Sequence, residues 1–310
     1  MILTVTLNPS VDMNYQLDNF TLDTANRVTN VSKTAGGKGL NIANVLRQLD
    51  QDAAATGFLG GELGDFISKR IKENGIRDDF VATQGNTRNC IAIIHNGQQT
   101  EILESGPEIS ETEAERFLSA FQEKVENVKL VTVSGSLPKG LPVTFYQSVL
   151  SVCEKAGKPV LLDTKGSLLK TTLEAGASKP YMIKPNEDEL ADVFGEKVAG
   201  VDDIKQALDE SFFAGIPWII VSLGADGAVV KHADHYYRVY APKIEAVNPV
   251  GSGDSVVAGF AAAMERGLEG EALIKFALSM GVLNAMEAKT GSINPDKIDW
   301  CLDAMRIETL

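Results

Sequence analysis

The sequence predicts an α/β fold, in which a central, mostly parallel β-sheet carries helices on both faces and a small second β-sheet lies beside it. Short runs of β-branched residues alternate with helical patterns, which is typical of βαβ units. One Asn-Gly turn between two apolar runs breaks this alternation and predicts a β-hairpin outside the main sheet. With no linker and no internal repeat, residues 1–310 are expected to form a single domain.

The alternation can be followed element by element. Strands of the main sheet are predicted at residues 2–6, 53–59, 129–134, 159–163, 181–184, 218–222 and 228–231. Helices are predicted at residues 40–49, 65–74, 113–125 and 256–266, and a further helix between Pro142 and Gly157. Ser110 and Glu113 have the spacing of a capping box, which predicts a helix start at this point.

The small sheet is predicted from two segments, about 15–33 and 88–105. The Asn96-Gly97 turn connects strands predicted at 88–95 and 99–103, and shorter strands are predicted at 15–20 and 27–33. Residues 90–94 are more apolar than an isolated exposed hairpin should be, so one face must be covered. A lid over a ligand and a contact between two subunits are both compatible with this pattern.

Composition and charge exclude several classes of protein. The formal net charge of −13 disfavours nucleic acids and anionic membranes as partners. The three cysteines are far apart without a CxxC motif, which supports neither a zinc site nor a disulfide framework. The N-terminus shows no signal-peptide pattern, and no apolar run approaches the roughly 18 residues of a membrane span. We therefore expect a cytoplasmic protein.

A glycine-rich loop at residues 248–255 is the strongest candidate site. Gly251, Ser252 and Gly253 immediately precede a predicted helix, where unpaired N–H groups and the helix dipole favour an anion. Asp254 in the same loop could take a proton from a hydroxyl while the amides hold a phosphoryl group. The loop matches neither the Walker A nor the Rossmann pattern, which disfavours a nicotinamide oxidoreductase.

The loop at residues 35–41 combines close backbone approach with a positive charge. Gly36 and Gly37 allow a ligand to approach the backbone, Lys38 supplies the charge, and Asn41 can bond hydroxyl groups. The same pattern is equally typical of a tight turn with a solvated lysine.

Two further polar loops follow predicted strands. Asn186 and Glu189, just after Lys184, share one face of a starting helix, which suits a hydrated Mg²⁺ ion and equally a simple helix cap. The loop at residues 222–227 also follows a buried strand, and such loops bind ligands in open α/β sheets. A hairpin turn would explain this second loop equally well.

Taken in order, these motifs resemble those of the ribokinase-like carbohydrate kinases, the phosphofructokinase B family. Gly-Gly-Lys-Gly-Leu-Asn begins at Gly36, Lys-Pro-Asn-Glu-Asp-Glu at Lys184, and Gly-Ser-Gly-Asp at Gly251. The resemblance covers essentially the whole chain. It implies a ribokinase-like fold with a small β-sheet lid, pairing of lids in a homodimer, and ATP and a ketohexose phosphate as substrates.

The resemblance also implies a role for individual residues. Asp254 would be the catalytic base, and Gly251, Ser252 and Gly253 would stabilise the transferring phosphoryl group. The residues implied to bind the sugar phosphate are Asp12, Arg27, Gly36, Gly37, Lys38, Asn41 and Arg88. The residues implied to bind the nucleotide are Lys184, Asn186, Ser222, Gly224, Gly227, Gly251, Gly253 and Asn284. Asn186 and Glu189 would hold Mg²⁺ through water, and some members bind a monovalent cation through loop carbonyls.

Two motifs resemble the branch of the family that phosphorylates ketose phosphates, namely Thr-Leu-Asn-Pro-Ser-Val-Asp at residues 6–12 and Val-Ser-Gly-Ser-Leu-Pro at 133–138. Residues 100–107 and 248–254 are most similar to tagatose-6-phosphate kinases, which implies a role in lactose or galactose use. Asn248-Pro249 and Ser252 replace the usual Thr and Ala, which points away from 1-phosphofructokinases. Those enzymes stay the nearest alternative, and a non-catalytic sugar-phosphate or nucleotide sensor is the alternative from another class.

Overall fold

Fifteen strands and ten α-helices build the molecule, and the computed structural model describes all of residues 1–310. The strands are β1 (Ile2–Thr6), β2 (Ser10–Leu17), β3 (Asn30–Gly36), β4 (Ala53–Leu59), β5 (Arg77–Asp78), β6 (Val81–Ala82), β7 (Arg88–His95), β8 (Gln98–Leu103), β9 (Leu130–Ser134), β10 (Val160–Asp163), β11 (Met182–Ile183), β12 (Trp218–Ser222), β13 (Ala228–His232), β14 (His235–Tyr240) and β15 (Arg306–Thr309). The helices are α1 (Lys38–Gln48), α2 (Gly61–Glu73), α3 (Glu111–Val125), α4 (Phe145–Lys155), α5 (Gly166–Glu174), α6 (Glu187–Phe194), α7 (Val201–Leu208), α8 (Ser252–Glu265), α9 (Gly270–Ala285) and α10 (Ile298–Ala304).

The main sheet is parallel through its centre and antiparallel at one edge. Its strand order is β15-β14-β13-β12-β11-β10-β9-β1-β4-β5, and β6 also pairs with β4. The pairs from β12 to β5 are parallel, whereas β12 to β15 form antiparallel pairs. The α/β class with a mostly parallel sheet is thus confirmed.

Helices cover both faces of this sheet, because its central strands are apolar on both sides. All five residues of β1 are buried, and so are all seven of β4. Helices α1, α2, α8, α9 and α10 pack on one face, and α3 to α7 pack on the other. None of the helices has the length and apolar character that crossing a lipid bilayer requires.

All of the predicted helix starts differ from the structure by two to four residues. Helix α2 begins at Gly61 rather than at residue 65, α3 at Glu111 rather than at 113, and α8 at Ser252 rather than at 256. Helix α1 begins at Lys38 rather than at residue 40, so Lys38 lies in the first turn of a helix and not in a loop. Helix α4 begins at Phe145, three residues after Pro142, since the Phe145 N–H donates to the Pro142 carbonyl and closes a separate turn (2.9 Å).

A separate four-stranded sheet lies beside the main sheet, as predicted, in the order β3-β2-β7-β8. The predicted bounds of its first two strands were wrong by several residues. Strand β2 already begins after Pro9, and its alternating apolar residues at positions 11, 13, 15 and 17 carry the period of a strand. Strand β3 is antiparallel to β2, and Gly36 pairs with Ser10. Strand β3 therefore extends almost to the start of α1.

The capping box before α3 is confirmed, and it extends into a larger hydrogen-bond network. The Ser110 hydroxyl accepts from the Glu113 N–H, and the Glu113 carboxylate accepts from the Ser110 N–H (2.9 Å). The same carboxylate accepts from the Thr83 hydroxyl (2.7 Å) and the Gln84 N–H (2.8 Å). These hydrogen bonds, the one from the Ser110 backbone foremost, lower the pKa of Glu113 to about 2. The cap therefore ties α3 to the segment that follows β6.

We expect Glu113→Gln to destabilise the fold by about 1.5–3 kcal/mol at neutral pH, because charge-assisted hydrogen bonds are lost. The pKa of Glu113 is lower in the folded chain, so this stabilisation is present above the ordinary carboxyl pKa and is lost as the pH falls towards 2. Urea unfolding of variant and wild type should converge progressively as the pH falls from about 5 to about 2. Glu115→Gln, an exposed position on the same helix, is the control, and a pH-independent difference at Glu113 would contradict the assignment.

Candidate active site

One large cavity lies at the carboxyl ends of the parallel strands, under the small sheet, with a volume of about 1420 Å³. Loops at this edge of an α/β sheet commonly bind ligands. The structure brings most of the residues singled out in the sequence to its wall. These are Asp12, Gly37, Lys38, Asn41, Arg88, Lys184, Asn186, Glu189, Ser222, Gly251, Gly253 and Asp254.

Asp163 forms the floor of the cavity at the end of β10. Its carboxylate lies 3.3 Å from Lys38 Nζ and 3.6 Å from Lys184 Nζ, and its side chain is 1% exposed. Burial opposes ionisation, but the ammonium groups of Lys184 and Lys38 outweigh it and lower the pKa of Asp163. Burial likewise opposes the charge of Lys38, yet the carboxylates of Asp163 and Asp254 raise its pKa. Asp163 therefore stays ionised and fixes both ammonium groups.

Asp254 lies in the first turn of α8 and is almost fully buried. Asn41 donates from Nδ2 to its Oδ2 at 2.8 Å, which orients the carboxylate. Burial and then the negative charge of Asp163 raise the pKa of Asp254 to about 7, although Lys38 and the bond from Asn41 oppose this. A carboxyl group with a pKa near neutrality suits proton transfer at physiological pH.

The start of α8 presents N–H groups to the cavity. The N–H groups of Gly251, Gly253 and Asp254 donate to no acceptor within the chain. No side chain caps this helix, and its first turn points its dipole at the cavity. The geometry is that of an anion-binding helix start, with a carboxylate beside the anion position.

Two glycines of this loop leave space that a side chain would fill. Gly251 has a φ of 86°, in the left-handed region, and a Cβ there would lie 2.6 Å from Thr290 Cγ2. A Cβ on Gly253 would lie 2.9 Å from Lys184 Nζ, so the absent side chain lets the ammonium group approach the helix start. Lys184 is thereby held between Asp163 and the anion-binding amides.

The small sheet contributes a polar pair to the opposite wall. The Ser10 hydroxyl donates to the Asp12 carboxylate (2.6 Å), and burial raises the pKa of Asp12 in spite of this bond. Gly36 packs directly against that carboxylate, so it supports Asp12 from behind instead of lining the cavity. Arg88 lines the cavity while its guanidinium donates to the Asn8 carbonyl (3.0 Å) and the Glu104 carbonyl (2.9 Å).

Asn186 and Glu189 form a reciprocal cap at the start of α6. The Asn186 side-chain oxygen accepts from the Glu189 N–H (2.7 Å), and one Glu189 oxygen accepts from the Asn186 N–H (3.0 Å). The second Glu189 oxygen has no partner within the chain, and the residue lines the cavity. Glu189 thus has a free ligand atom for a hydrated cation, whereas the Asn186 oxygen is already used in the cap.

Besides Gly36, five residues implied by the resemblance lie away from the cavity wall. Arg27 is exposed in the irregular segment between β2 and β3. Gly224 and Gly227 shape the turn between β12 and β13. The Ser252 N–H donates to the Pro249 carbonyl (3.2 Å), and Asn284 is fully buried behind the loop.

Asn284 organises the loop in place of the implied nucleotide contact. Its Nδ2 donates to the Val250 carbonyl (2.9 Å), and its Oδ1 accepts from the Ser255 hydroxyl (3.1 Å) and the Gly291 N–H (3.0 Å). With no exposed surface, its side chain cannot reach a ligand. It clamps the glycine-rich loop onto α9 and the segment that follows.

Asp163 was missed in the sequence, although it ends a correctly predicted strand. Its Oδ1, Thr6 Oγ1 and Ser134 Oγ are buried without a hydrogen-bond partner at the ends of three adjacent strands. Unpaired buried polar atoms are costly and tend to mark functional sites. An acidic residue at the carboxyl end of a buried parallel strand was the available signal.

The chain matches known proteins over nearly its whole length. A family model described as pfkB family carbohydrate kinase matches residues 5–297. A Staphylococcus aureus protein provisionally assigned as a phosphofructokinase is 33% identical, with a TM-score of 0.83 and coverage of 100% of this chain and 99% of that chain. Phosphofructokinase-2 from Escherichia coli, solved in complex with potassium, is 24% identical, with a TM-score of 0.89 and coverage of 97% and 98%.

A provisionally assigned 1-phosphofructokinase from Thermotoga maritima is also similar, at 24% identity, with a TM-score of 0.88 and coverage of 100% and 99%. The two likenesses at 24% identity support the fold, and the match of the family model confirms the family that the order of motifs predicted. The chain therefore belongs to the pfkB family of carbohydrate kinases and has their ribokinase-like fold.

Proposed function

We propose that this carbohydrate kinase transfers the γ-phosphoryl group of ATP to the C1 hydroxyl of tagatose 6-phosphate and forms tagatose 1,6-bisphosphate. The observation that carries the proposal is the buried Asp254 carboxylate beside the free N–H groups of Gly251 and Gly253. A sensor that only binds ligands needs no buried carboxylate with a pKa near 7 at an anion site. The choice of sugar rests on the motifs at residues 100–107 and 248–254.

Asp254 accepts the proton of the C1 hydroxyl as the sugar oxygen attacks the γ-phosphorus of ATP. The bond from that phosphorus to the β-phosphate oxygen breaks, and ADP leaves with the electron pair. The N–H groups at the start of α8 and the ammonium group of Lys184 stabilise the negative charge of the transferring group. Asn41 keeps the Asp254 carboxylate directed at the hydroxyl.

The fixed phosphate of the sugar binds to Arg88 and Lys38, and Asp12 accepts hydrogen bonds from sugar hydroxyls. Arg88 suits this role because its guanidinium is already oriented by two main-chain carbonyls at the cavity wall. Lys38 is oriented in the same way by Asp163. Binding energy at the remote phosphate thus positions the C1 hydroxyl.

Kinases of this family use ATP with a divalent metal ion. The residues fit Mg²⁺, since Glu189 has a free carboxylate oxygen at the cavity and hydrated Mg²⁺ needs only one or two carboxylates. Glu189 would hold the ion through water, with Asn186 fixing the Glu189 backbone. When bound, the ion neutralises charge on the nucleotide phosphates.

The small sheet is proposed to act as a lid, formed by β2, β3, β7 and β8. Asp12 and Cys90, which pair across β2 and β7, lie on the face that lines the cavity. Val31 and Ile102 lie on the opposite face, 43% and 53% exposed, which suits pairing with a second copy in a homodimer. Closure would exclude water and limit hydrolysis of ATP.

A coupled assay of ADP release tests the substrate directly. We expect kcat/KM to be highest with tagatose 6-phosphate, compared with fructose 1-phosphate and fructose 6-phosphate, because of the motifs named above. Higher kcat/KM with fructose 1-phosphate would replace the proposal by a 1-phosphofructokinase. Binding of sugar phosphate without ADP release would indicate a sensor.

Asp254→Asn is expected to lower kcat about 10²–10⁴-fold without loss of folding, the usual contribution of a general base. Because the base must be ionised and its pKa is about 7, wild-type kcat/KM should fall about tenfold per pH unit below that value. The residual activity of the variant should lack this dependence. Asp303→Asn, an exposed position on α10, is the control; turnover close to wild type in Asp254→Asn would refute the assignment.

Hydrogen exchange tests the lid. We expect residues 88–103 to exchange more slowly when sugar phosphate and a non-hydrolysable nucleotide are added together, because closure protects β7 and β8. The β13–β14 hairpin, at the far edge of the main sheet, is the control segment. Unchanged protection would rule out closure, and a monomeric mass in solution would rule out pairing of lids.

A further inference from the structure

Most basic side chains around the cavity already have a partner within the chain. Lys38 and Lys184 are bound by Asp163, and Arg70 forms an ion pair with Glu73. Three lysines line the cavity without an ion pair or a side-chain hydrogen bond, namely Lys33, Lys165 and Lys289. In a chain with a net charge of −13, unpaired cations at one cavity need an explanation.

Lys165 is held at a defined point between two parts of the site. The Thr164 hydroxyl donates to the Gly135 carbonyl (2.8 Å), and the Gly135 N–H donates to the Asp163 carbonyl (3.1 Å), so the backbone before Lys165 is fixed. Gly166 then packs directly against the backbone of Glu189 at the start of α6. The exposed side chain of Lys165 therefore emerges between Asp163 and Glu189.

The charges on this side of the cavity favour a cation in addition to the Mg²⁺ that Glu189 would hold. The first turn of α6 carries Glu187, Asp188 and Glu189, which would repel a nucleotide triphosphate. Lys184 follows β11 just before this turn and is held in place by Asp163, but that carboxylate already balances much of its positive charge. Of the three unpaired lysines, only Lys165 adjoins α6. Lys33 belongs to the small sheet, and Lys289 follows α9 in the other helical layer.

We propose that Lys165 binds the outer phosphates of the nucleotide and offsets the repulsion from the first turn of α6. The inference rests on the proposed function, because it assumes that ATP occupies this cavity. An exposed lysine gains little from a surface ion pair, but it gains more from a multiply charged phosphate chain that is held beside it. Lys165 would then determine the affinity for nucleoside di- and triphosphates and leave the sugar site unchanged.

Calorimetry with Lys165→Ala tests the proposal without relying on turnover. We expect ATP and ADP to bind about 10–100-fold more weakly than to the wild type, as for loss of a charge-assisted contact. AMP, which lacks the outer phosphates, should bind equally to both proteins, and KM for the sugar phosphate should not change. Lys165→Arg should retain most of the affinity. Lys170→Ala, exposed on helix α5, which begins directly after Lys165, and outside the cavity, is the control.

The outcomes separate this proposal from the one on which it rests. If the wild type binds ATP and Lys165→Ala binds it equally well, the role of Lys165 is wrong and the kinase assignment stands. The role of Lys165 would also be wrong if the variant bound AMP and ATP more weakly by the same factor, or if only its KM for the sugar phosphate rose. If the wild type binds no ATP, both proposals fail. Matching thermal unfolding of variant and wild type excludes a folding defect.

Discussion

Asp163 binds two ammonium groups at the floor of the cavity, and the other charges of the site depend on this contact. Without the carboxylate, Lys38 and Lys184 would face each other as unpaired cations, and breaking the buried pair of Asp163 with Lys184 costs about 3–5 kcal/mol. Burial raises the pKa of Asp254, and the negative charge of the Asp163 carboxylate raises it further. One buried residue, Asp163, therefore orients the two ammonium groups and also raises the pKa of the proposed base. The affinity of the site for anions and the proton transfer at Asp254 thus depend on the same carboxylate.

The glycine-rich loop adds the second half of the site, and it is held from behind. Asn284 binds the Val250 carbonyl and the Gly291 N–H, so α9 and the following segment fix the loop from which α8 begins. Gly253 leaves room for Lys184 against the first turn of α8. The free N–H groups and the ammonium group thus converge on one point beside Asp254. Rigid donors of this kind need little reorganisation when charge develops on a transferring group.

The sequence predicted what is encoded locally. Parallel strands, the Asn96-Gly97 hairpin and the loop at 248–255 each carry their own pattern, and all three appear in the structure. Residue roles that depend on tertiary contacts were harder to predict. Asn284 donates a hydrogen bond to the carbonyl of Val250, 34 positions earlier. Asp163 accepts one from Lys38, 125 positions earlier. The position of Asp163 at the end of a buried parallel strand was a signal in the sequence, but its partners Lys38 and Lys184 could be identified only from the fold.

An acidic protein can bind two anions only if its local charges outweigh its overall charge. At physiological ionic strength the Debye length is about 8 Å, so most of the surface acidity is screened at the cavity floor. The groups that remain effective are those within a few ångströms, where Asp163 and Asp254 balance Lys38 and Lys184. This core is close to neutral, so Lys38 and Lys184 need the support of groups without a carboxylate partner to bind two anions. The free N–H groups of α8 and Arg88, whose guanidinium is bound only by carbonyls, meet that condition.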